Sequence, residues 1–475
     1  MRAQNSVYLN TIKPYLKQLI DMLYEDFQYV SILATDCKGK KYVVSQNSNS
    51  IEPNMLNERG FVVRVYNGKS YSEYSFNEIN KENILELAHK IKSEIKDTHN
   101  NFQENFNIRE YELIKEARDT RTFEKGVKIH PVVVKESDII EALNASRKKG
   151  IELSSLIKEL KLVYEYLNIN KLFLTSQTEF FQSYLYSIGM RLCVVEKDGK
   201  VKYDYESFSG LKGIELLEEL DRDIENFINN TIELLDSMPM VPGYYDVICS
   251  PDVSGLIAHE AFGHGVEMDM FVKERAKAKN EIGNYVASEL VNMYDGALGM
   301  EHVASYSFDD EGNLASNTKI IDKGILKEGI SDEISAMELG TKPTGNGRRE
   351  SFKRKAYSRM SNTYFCPGHS ELNEMINSIE YGFFLEGVQS GMEDPKNWGI
   401  QCIVTKAKEI KNGKFTGKIY SPIIITGYVP DVLKSITMIS RDLDMDGAGI
   451  CGKGYKEYVK VSSGGPYIKA KVRLG

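Results

Sequence analysis

Along the first 26 residues, apolar side chains recur at Leu9, Ile12, Leu16, Leu19, Ile20 and Leu23, the spacing of an amphipathic helix. The next pattern is strand-like. Residues 29–35 are β-rich, Asp36-Cys37-Lys38-Gly39 reads as a turn, and residues 41–45 resume a strand. Residues 60–66 (GFVVRVY) form a further strand, and the Asn67-Gly68 after them signals a hairpin. Ile84, Leu87, Ala88, Ile91 and Ile95 then share one helical face. Residues 97–128 are polar with weak periodicity and read as a connection. A helix starts near Ser137-Asp138 and runs towards Leu162; strands follow at 171–175 and 190–196, with a hairpin turn at Asp198-Gly199. An amphipathic helix covers 213–237, and Met238-Pro239-Met240-Val241-Pro242-Gly243 ends it.

Beyond that point the texture changes. Short β-rich runs at 244–249, 302–308, 400–408 and 418–425 are separated by Gly, Asn and Pro, the pattern of an antiparallel sheet or barrel. The pattern predicts an α+β protein. An α/β N-terminal domain spans residues 1–238, with a subdivision near 97–130. A mostly antiparallel β C-terminal domain spans 239–475 and carries the metal site argued below.

Composition changes this picture little. A chain of 475 residues is long enough for two or three cores, and 41% hydrophobic with 27% charged residues is ordinary for a globular protein. The net charge of −8 argues against broad nucleic-acid binding. Met1 to Asn5 lead into a polar amphipathic stretch without a signal-peptide core, and no run is long and apolar enough for a membrane span. The expected compartment is cytoplasmic, with no membrane partner. Cys37, Cys193, Cys249, Cys366, Cys402 and Cys451 form no C-x-x-C pair and are expected mainly as buried thiols.

The chemistry concentrates in His259-Glu260-Ala261-Phe262-Gly263-His264. Two imidazoles can hold a divalent metal, and a neighbouring carboxylate can move a proton. On an ideal helix, residues five apart are separated by roughly 140°, against roughly 40° for i and i+4. The helix must therefore be distorted or ended between the two histidines, and Gly263 and Gly265 permit that break. A catalytic zinc usually takes a third protein ligand. His302 and His369 are candidates by type; Cys451 lies in a glycine-rich run, Gly447 to Gly454, that allows close backbone approach. Two other motifs overlap this tail and are set aside. Gly447-x-Gly449-x-x-Gly452 lacks the strand–helix–strand context of a dinucleotide site, and the loop beginning at Asp442 has Lys453 where a calcium loop needs glutamate.

Several segments match a known pattern in order. His259 to Asp269 is close to HEAxGHGxExD; Arg348-Arg349-Glu350-Ser351, Arg359-Met360-Ser361-Asn362-Thr363-Tyr364 and Cys451-Gly452-Lys453 follow it, and GFVVRVY precedes it. Together they resemble the TldD/PmbA family of metallopeptidases, specifically its TldD-like, metal-bearing branch. The resemblance implies one zinc per chain on His259, His264 and Cys451, with Glu260 as general base. It implies a two-domain architecture and peptidase activity on unstructured peptides or on a precursor peptide. It also implies a homodimer, or a heterodimer with a metal-free PmbA-like subunit. An old label, modulator of DNA gyrase, attaches to the family; the acidic balance favours a protein-level role without direct nucleic-acid contact.

Secondary roles follow. Arg348 and Arg349 either bind a substrate carboxylate or carbonyl, or pair with Glu350 or another acid. Asn362 and Tyr364 either donate near a developing oxyanion or serve structure. Glu267 and Asp269 either orient a ligand histidine or cap the loop. Phe262, where the family has smaller residues, either narrows the site or packs into the core. The rival reading is a non-catalytic peptide- or partner-binding regulatory subunit with a structural metal. Glu260 discriminates between them, because a structural site needs no adjacent base.

Overall fold

The computed structural model describes residues 6–105, 109–453 and 457–475; Met1 to Asn5 and Gly454 lie outside the described residues. Among the described residues, two large sheets divide the chain. The first is built from residues before 211, and its central strands are antiparallel. Its spatial order is Tyr71–Phe76, Glu58–Tyr66, Tyr29–Val44, Ile157–Leu174, Thr178–Lys197 and Asp119–Glu124. The predicted first helix forms as Val7–Leu23 and buries all six apolar positions named above. With Ile84–Asn105 it covers one sheet face over Phe61, Val63 and Leu172.

Four expectations are corrected here. Asp36 to Gly39 is no turn but the middle of the 16-residue strand Tyr29–Val44. Its glycine serves contact between strands: a Cβ at Gly39 would lie 1.8 Å from the Tyr166 carbonyl oxygen. Residues 97–128 contain the strand Asp119–Glu124, which pairs in parallel with Thr178–Lys197, so this segment belongs to the sheet. It reads as a polar connection because that strand lies at an edge and is largely exposed. The helix from Ser137 stops at Ile151, and the 18-residue strand Ile157–Leu174 takes over, with Leu160, Leu162, Tyr164 and Tyr166 alternating into the core. The 213–237 helix is broken into Leu216–Asp221 and Ile224–Glu233. Asp223 has φ 54° at the break, and the buried Arg191 guanidinium donates to the carbonyls of Leu220 (3.1 Å) and Arg222 (2.6 Å) there.

The second sheet has eleven strands. Five of them close on themselves in the order Ser462–Leu474, Ile423–Tyr428, Gly399–Lys411, Tyr381–Asp394 and Gly243–Cys249, the last pairing back to the first. The predicted runs 244–249 and 400–408 and the end of 418–425 thus lie in a barrel, with the helix Pro251–Ile257 leaving directly from its strand Gly243–Cys249, whereas 302–308 forms no strand beyond a single bridge of Phe308 to Leu314. The fold is α+β. No helix among the described residues is long and apolar enough to cross a membrane.

The two sheets meet over residues 303–311. Phe308 packs on Phe180 with ring centroids 5.8 Å apart, Gln182 donates to the Phe308 carbonyl at 3.0 Å, and Arg64 pairs with Glu311 at 2.8 Å, both buried. Glu58 sits at this junction and accepts the Phe352 amide. Burial pushes its carboxyl up to about 7, offset only in part by Lys171 and Arg349. The unfolded value is about 4.3, so the folded state holds the extra proton between the two values. This contribution is complete at low pH and is lost as pH rises through about 7. Glu58→Gln should flatten that decline, measured by urea unfolding between about pH 5 and pH 8; an unchanged profile would rule Glu58 out as the group.

Candidate metal centre

The Pro251–Ile257 helix does not stop at the histidines. It changes pitch into a π turn, Ala258–Gly263, followed by a 3-10 turn, His264–Val266. A π turn closes from residue i to i+5 and is frequent at functional sites. Here the closing bond runs between the two histidines themselves, from the His264 amide to the His259 carbonyl. Residues five apart are thereby stacked, and the two imidazoles stand edge to face with centroids 5.1 Å apart.

The glycines act differently from expectation. Gly263 has φ −63°, an ordinary helical value. A Cβ there would lie 2.0 Å from the Met360 sulfur, and one at Gly265 would lie 2.8 Å from Glu393 Oε1. Both are glycine because something packs against them. Gly263→Ala should cost about 1–3 kcal/mol by overpacking, read from urea denaturation, and should displace His264; stability equal to wild type would refute this account.

Cys451 arrives on the strand Ile450–Lys453, which forms a hairpin with Glu457–Lys460. Its Sγ lies 3.4 Å from His264 Nε2. One ligand atom each from His259, His264 and Cys451 lie within 4.8 Å of one another. Burial pushes the thiols of Cys37 and Cys193 up to about 12 and that of Cys366 up to about 11. Burial opposes ionisation at Cys451 too, but His264 and His259 outweigh it and hold this thiol well below the usual range. His302 instead bonds Ser462 Oγ at 2.9 Å, and neither it nor His369 joins the cluster.

A tether of buried charges holds the two arms of the cluster together. Glu267 faces His264 Nδ1 at 3.3 Å, which leaves Nε2 directed at Cys451. Burial would raise the Glu267 carboxyl, but Lys453, His264 and Arg359 hold it below the carboxylate range. Lys453, two residues beyond the cysteine, lies 2.9 Å from Glu267 and donates to Asp269 at 2.5 Å. Arg359, only 1% exposed, donates to the Cys451 carbonyl at 2.7 Å and lies 3.6 Å from Glu267. Glu267 thus touches His264 directly, whereas Asp269 reaches the cluster through Lys453.

The residues fit a zinc ion. Bonds of about 2 Å to nitrogen and about 2.3 Å to sulfur are compatible with ligand atoms this close together. His259 Nδ1 is enclosed with no hydrogen-bond partner, which is unusual for a nitrogen outside a ligand set. Three such ligands would leave a fourth position, as catalytic zinc sites do. The cluster lines a cleft of about 620 Å³, with Glu260, Met392, Glu393 and Tyr357 on its walls. A larger cavity of about 1180 Å³ opens near Ser6, Asp36 and Tyr166 on the first sheet, but none of the three ligands lines it.

Four predicted substrate contacts lie outside this cleft. Arg348 donates to the carbonyls of Met360 (2.5 Å) and Lys460 (2.7 Å), and Arg349 pairs with Glu73 of the first sheet at 3.1 Å. Asn362 is buried and donates to the carbonyls of Gly296 and Met300. Tyr364 accepts from Asn317 and stacks on Tyr294. Most of their polar atoms are engaged in internal bonds, with Arg349 Nε and Asn362 Oδ1 left without a partner, and the structure brings none of the four to the cleft. Phe262 is fully buried against Trp398, with centroids 5.6 Å apart.

Residues 242–473 match the family model described as the PmbA/TldA metallopeptidase C-terminal domain. This part of the chain is a TldD/PmbA-family domain. A metalloprotease TldD homolog of Buchnera aphidicola is 36% identical over 50% of this chain and 48% of its own length. A zinc metalloprotease TldD homolog of Saccharolobus solfataricus is 31% identical over 60% of this chain and 64% of its own. The chain thus matches about half to two-thirds of the length of these curated relatives. The crystal structure of TldE from Thermococcus kodakarensis superposes with a TM-score of 0.76, at 17% identity, over 97% of this chain and all of that one. That likeness shows the fold.

Sequence reasoning missed Glu393. Burial, with Glu260 and Glu267 nearby, raises this carboxyl well above its usual range despite the favourable field of His264. Its signal was weak: a glycine two residues before a glutamate, on a strand 130 residues from the histidine run.

Proposed function

We propose that this chain is a zinc-dependent peptidase of the TldD-like branch, acting on unstructured or extended peptides or on a precursor peptide. The carrying observation is the His259–His264–Cys451 cluster lining an open cleft, with Glu260 beside it. Bound there, zinc would supply Lewis-acid polarisation of an amide carbonyl and a lowered pKa for water. Glu260 is the general base: it takes a proton from the attacking water and returns it to the leaving amine. Glu267 fixes the His264 ring, and Lys453 and Arg359 fix the approach of the cysteine hairpin.

A β-edge suits an extended substrate. The strand Tyr381–Asp394 pairs with Gly243–Cys249 only over residues 382–385. From Ser390 to Asp394 its sheet pairing is to Gly399–Lys411, and this stretch borders the cleft. A peptide laid along the other edge would be held through its backbone, largely independent of sequence.

The same reading places the domain boundary near 238/239, between the two sheets. It puts the protein in the cytoplasm, as a homodimer or with a metal-free partner. The test is cleavage of an unfolded peptide by zinc-loaded protein, lost on chelation and regained with zinc. No cleavage by either the lone chain or the chain with such a partner would overturn the proposal.

A further inference from the structure

On the strand Tyr381–Asp394, Gly391 and Glu393 face the π turn, while Met392 between them is 68% exposed. A Cβ at Gly391 would meet Glu260 Cγ at 2.4 Å, and a Cβ at Gly265 would meet Glu393 Oε1 at 2.8 Å. Two glycines on facing elements therefore make room for two carboxyls side by side. Both oxygens of Glu393 are enclosed, and neither has a hydrogen-bond partner. Yet Glu393 lines the same cleft as the metal ligands.

An enclosed carboxyl without a donor is costly, and native structures rarely retain one without a use. Among the described residues, three cations line the cleft; Arg275 makes no hydrogen bond to Glu393, and the other two are committed elsewhere. Lys453 is shared by Glu267 and Asp269, and Lys273 pairs with Asp269 at 3.0 Å. A zinc ion with one thiolate would carry one net positive charge, which Glu260 balances. Glu393 remains as a carboxyl with no protein counter-charge among these pairs. A charge shut away from water is best met by an opposite charge that also donates hydrogen bonds.

We propose that Glu393 is the recognition site for a protonated amine of the peptide substrate, either its N-terminal ammonium or a lysine side chain. This rests on the peptidase reading above. Once engaged, the amine anchors the peptide beside Glu260 and sets which bond faces the metal cluster.

Three versions of one peptide test it: free, N-acetylated, and with lysine replaced by norleucine. Each is assayed for kcat and KM with metal-loaded wild type, Glu393→Gln and Glu393→Asp. Each is also titrated calorimetrically into Glu260→Gln and into the Glu260→Gln/Glu393→Gln double variant. Zinc content and melting temperature equal to wild type establish that the variants are folded. Wild type should prefer the free peptide over one blocked version by on the order of tenfold or more in KM and in Kd. The blocked version that suffers identifies the amine. Glu393→Gln should erase that preference with little change in kcat, and Glu393→Asp should restore part of it. If wild type handles all three peptides alike, or Glu393→Gln weakens all three equally, the assignment is overturned. If nothing is cut but calorimetry still shows the preference, the peptidase reading fails and the assignment of Glu393 stands.

Discussion

Glu260→Gln protein is expected to bind zinc as wild type does and to cut unfolded peptide about 10²–10⁴-fold more slowly. Glutamine keeps the shape of the side chain against Gly391, where space is tight. What it loses is the ability to take a proton from water. The effect should appear in kcat, with KM little changed, because no ligand or cleft wall is removed. Native mass spectrometry on the same sample establishes metal occupancy, so lost activity cannot be lost zinc. This variant also separates the enzyme from a regulatory subunit with a structural metal. Such a subunit would have no cleavage to lose, and wild-type cleavage by Glu260→Gln would remove the base assignment.

Much of the site was legible because its chemistry is local. The histidine spacing announced a distortion, since two imidazoles five residues apart cannot share a face of a regular helix. The form of the distortion was not legible. A glycine chosen for an unusual φ and a glycine chosen for lack of a Cβ look the same in sequence. Gly263 and Gly265 suggested a break, whereas the chain stays helical and widens by one residue per turn. Gly39 misled in the same way, by reading as a turn in the middle of a strand.

Long-range partners were the other blind spot. Arg348, Arg349, Asn362 and Tyr364 are polar residues in distinctive motifs, which suggested contact with substrate. The structure turns them inward, onto carbonyls and side chains that include partners 47 to 276 residues away. Arg359, from the same segment, proved to be the group that ties the cysteine hairpin to Glu267. Helices with a clean periodic face, such as Val7–Leu23, were readable because one core decides every position. The edge strand Asp119–Glu124 was not, since its partner lies 59 residues ahead and its own side chains face water.

The cysteine carries the second large effect. Cys451→Ser is expected to weaken zinc binding by more than about 100-fold, the upper range for losing only a supporting residue. Serine nearly preserves size, and the Cys451 carbonyl would stay bonded to Arg359, so the hairpin should hold its place. The loss would therefore be chemical: a hydroxyl does not ionise near neutral pH, and two imidazoles alone make a weak site. Competition with a chromophoric chelator would measure the affinity. Cobalt substitution would report the thiolate independently, through a sulfur-to-metal charge-transfer band present in wild type and absent in the variant. The tether predicts a graded companion. Lys453→Met leaves all three ligands but removes a link between the cysteine arm and the Glu267 that faces His264, so it should weaken zinc only about 10- to 100-fold and keep the cobalt–thiolate band. Wild-type zinc affinity in Cys451→Ser would mean that the thiol merely packs beside the histidines, and the third ligand would have to be sought elsewhere in the cleft.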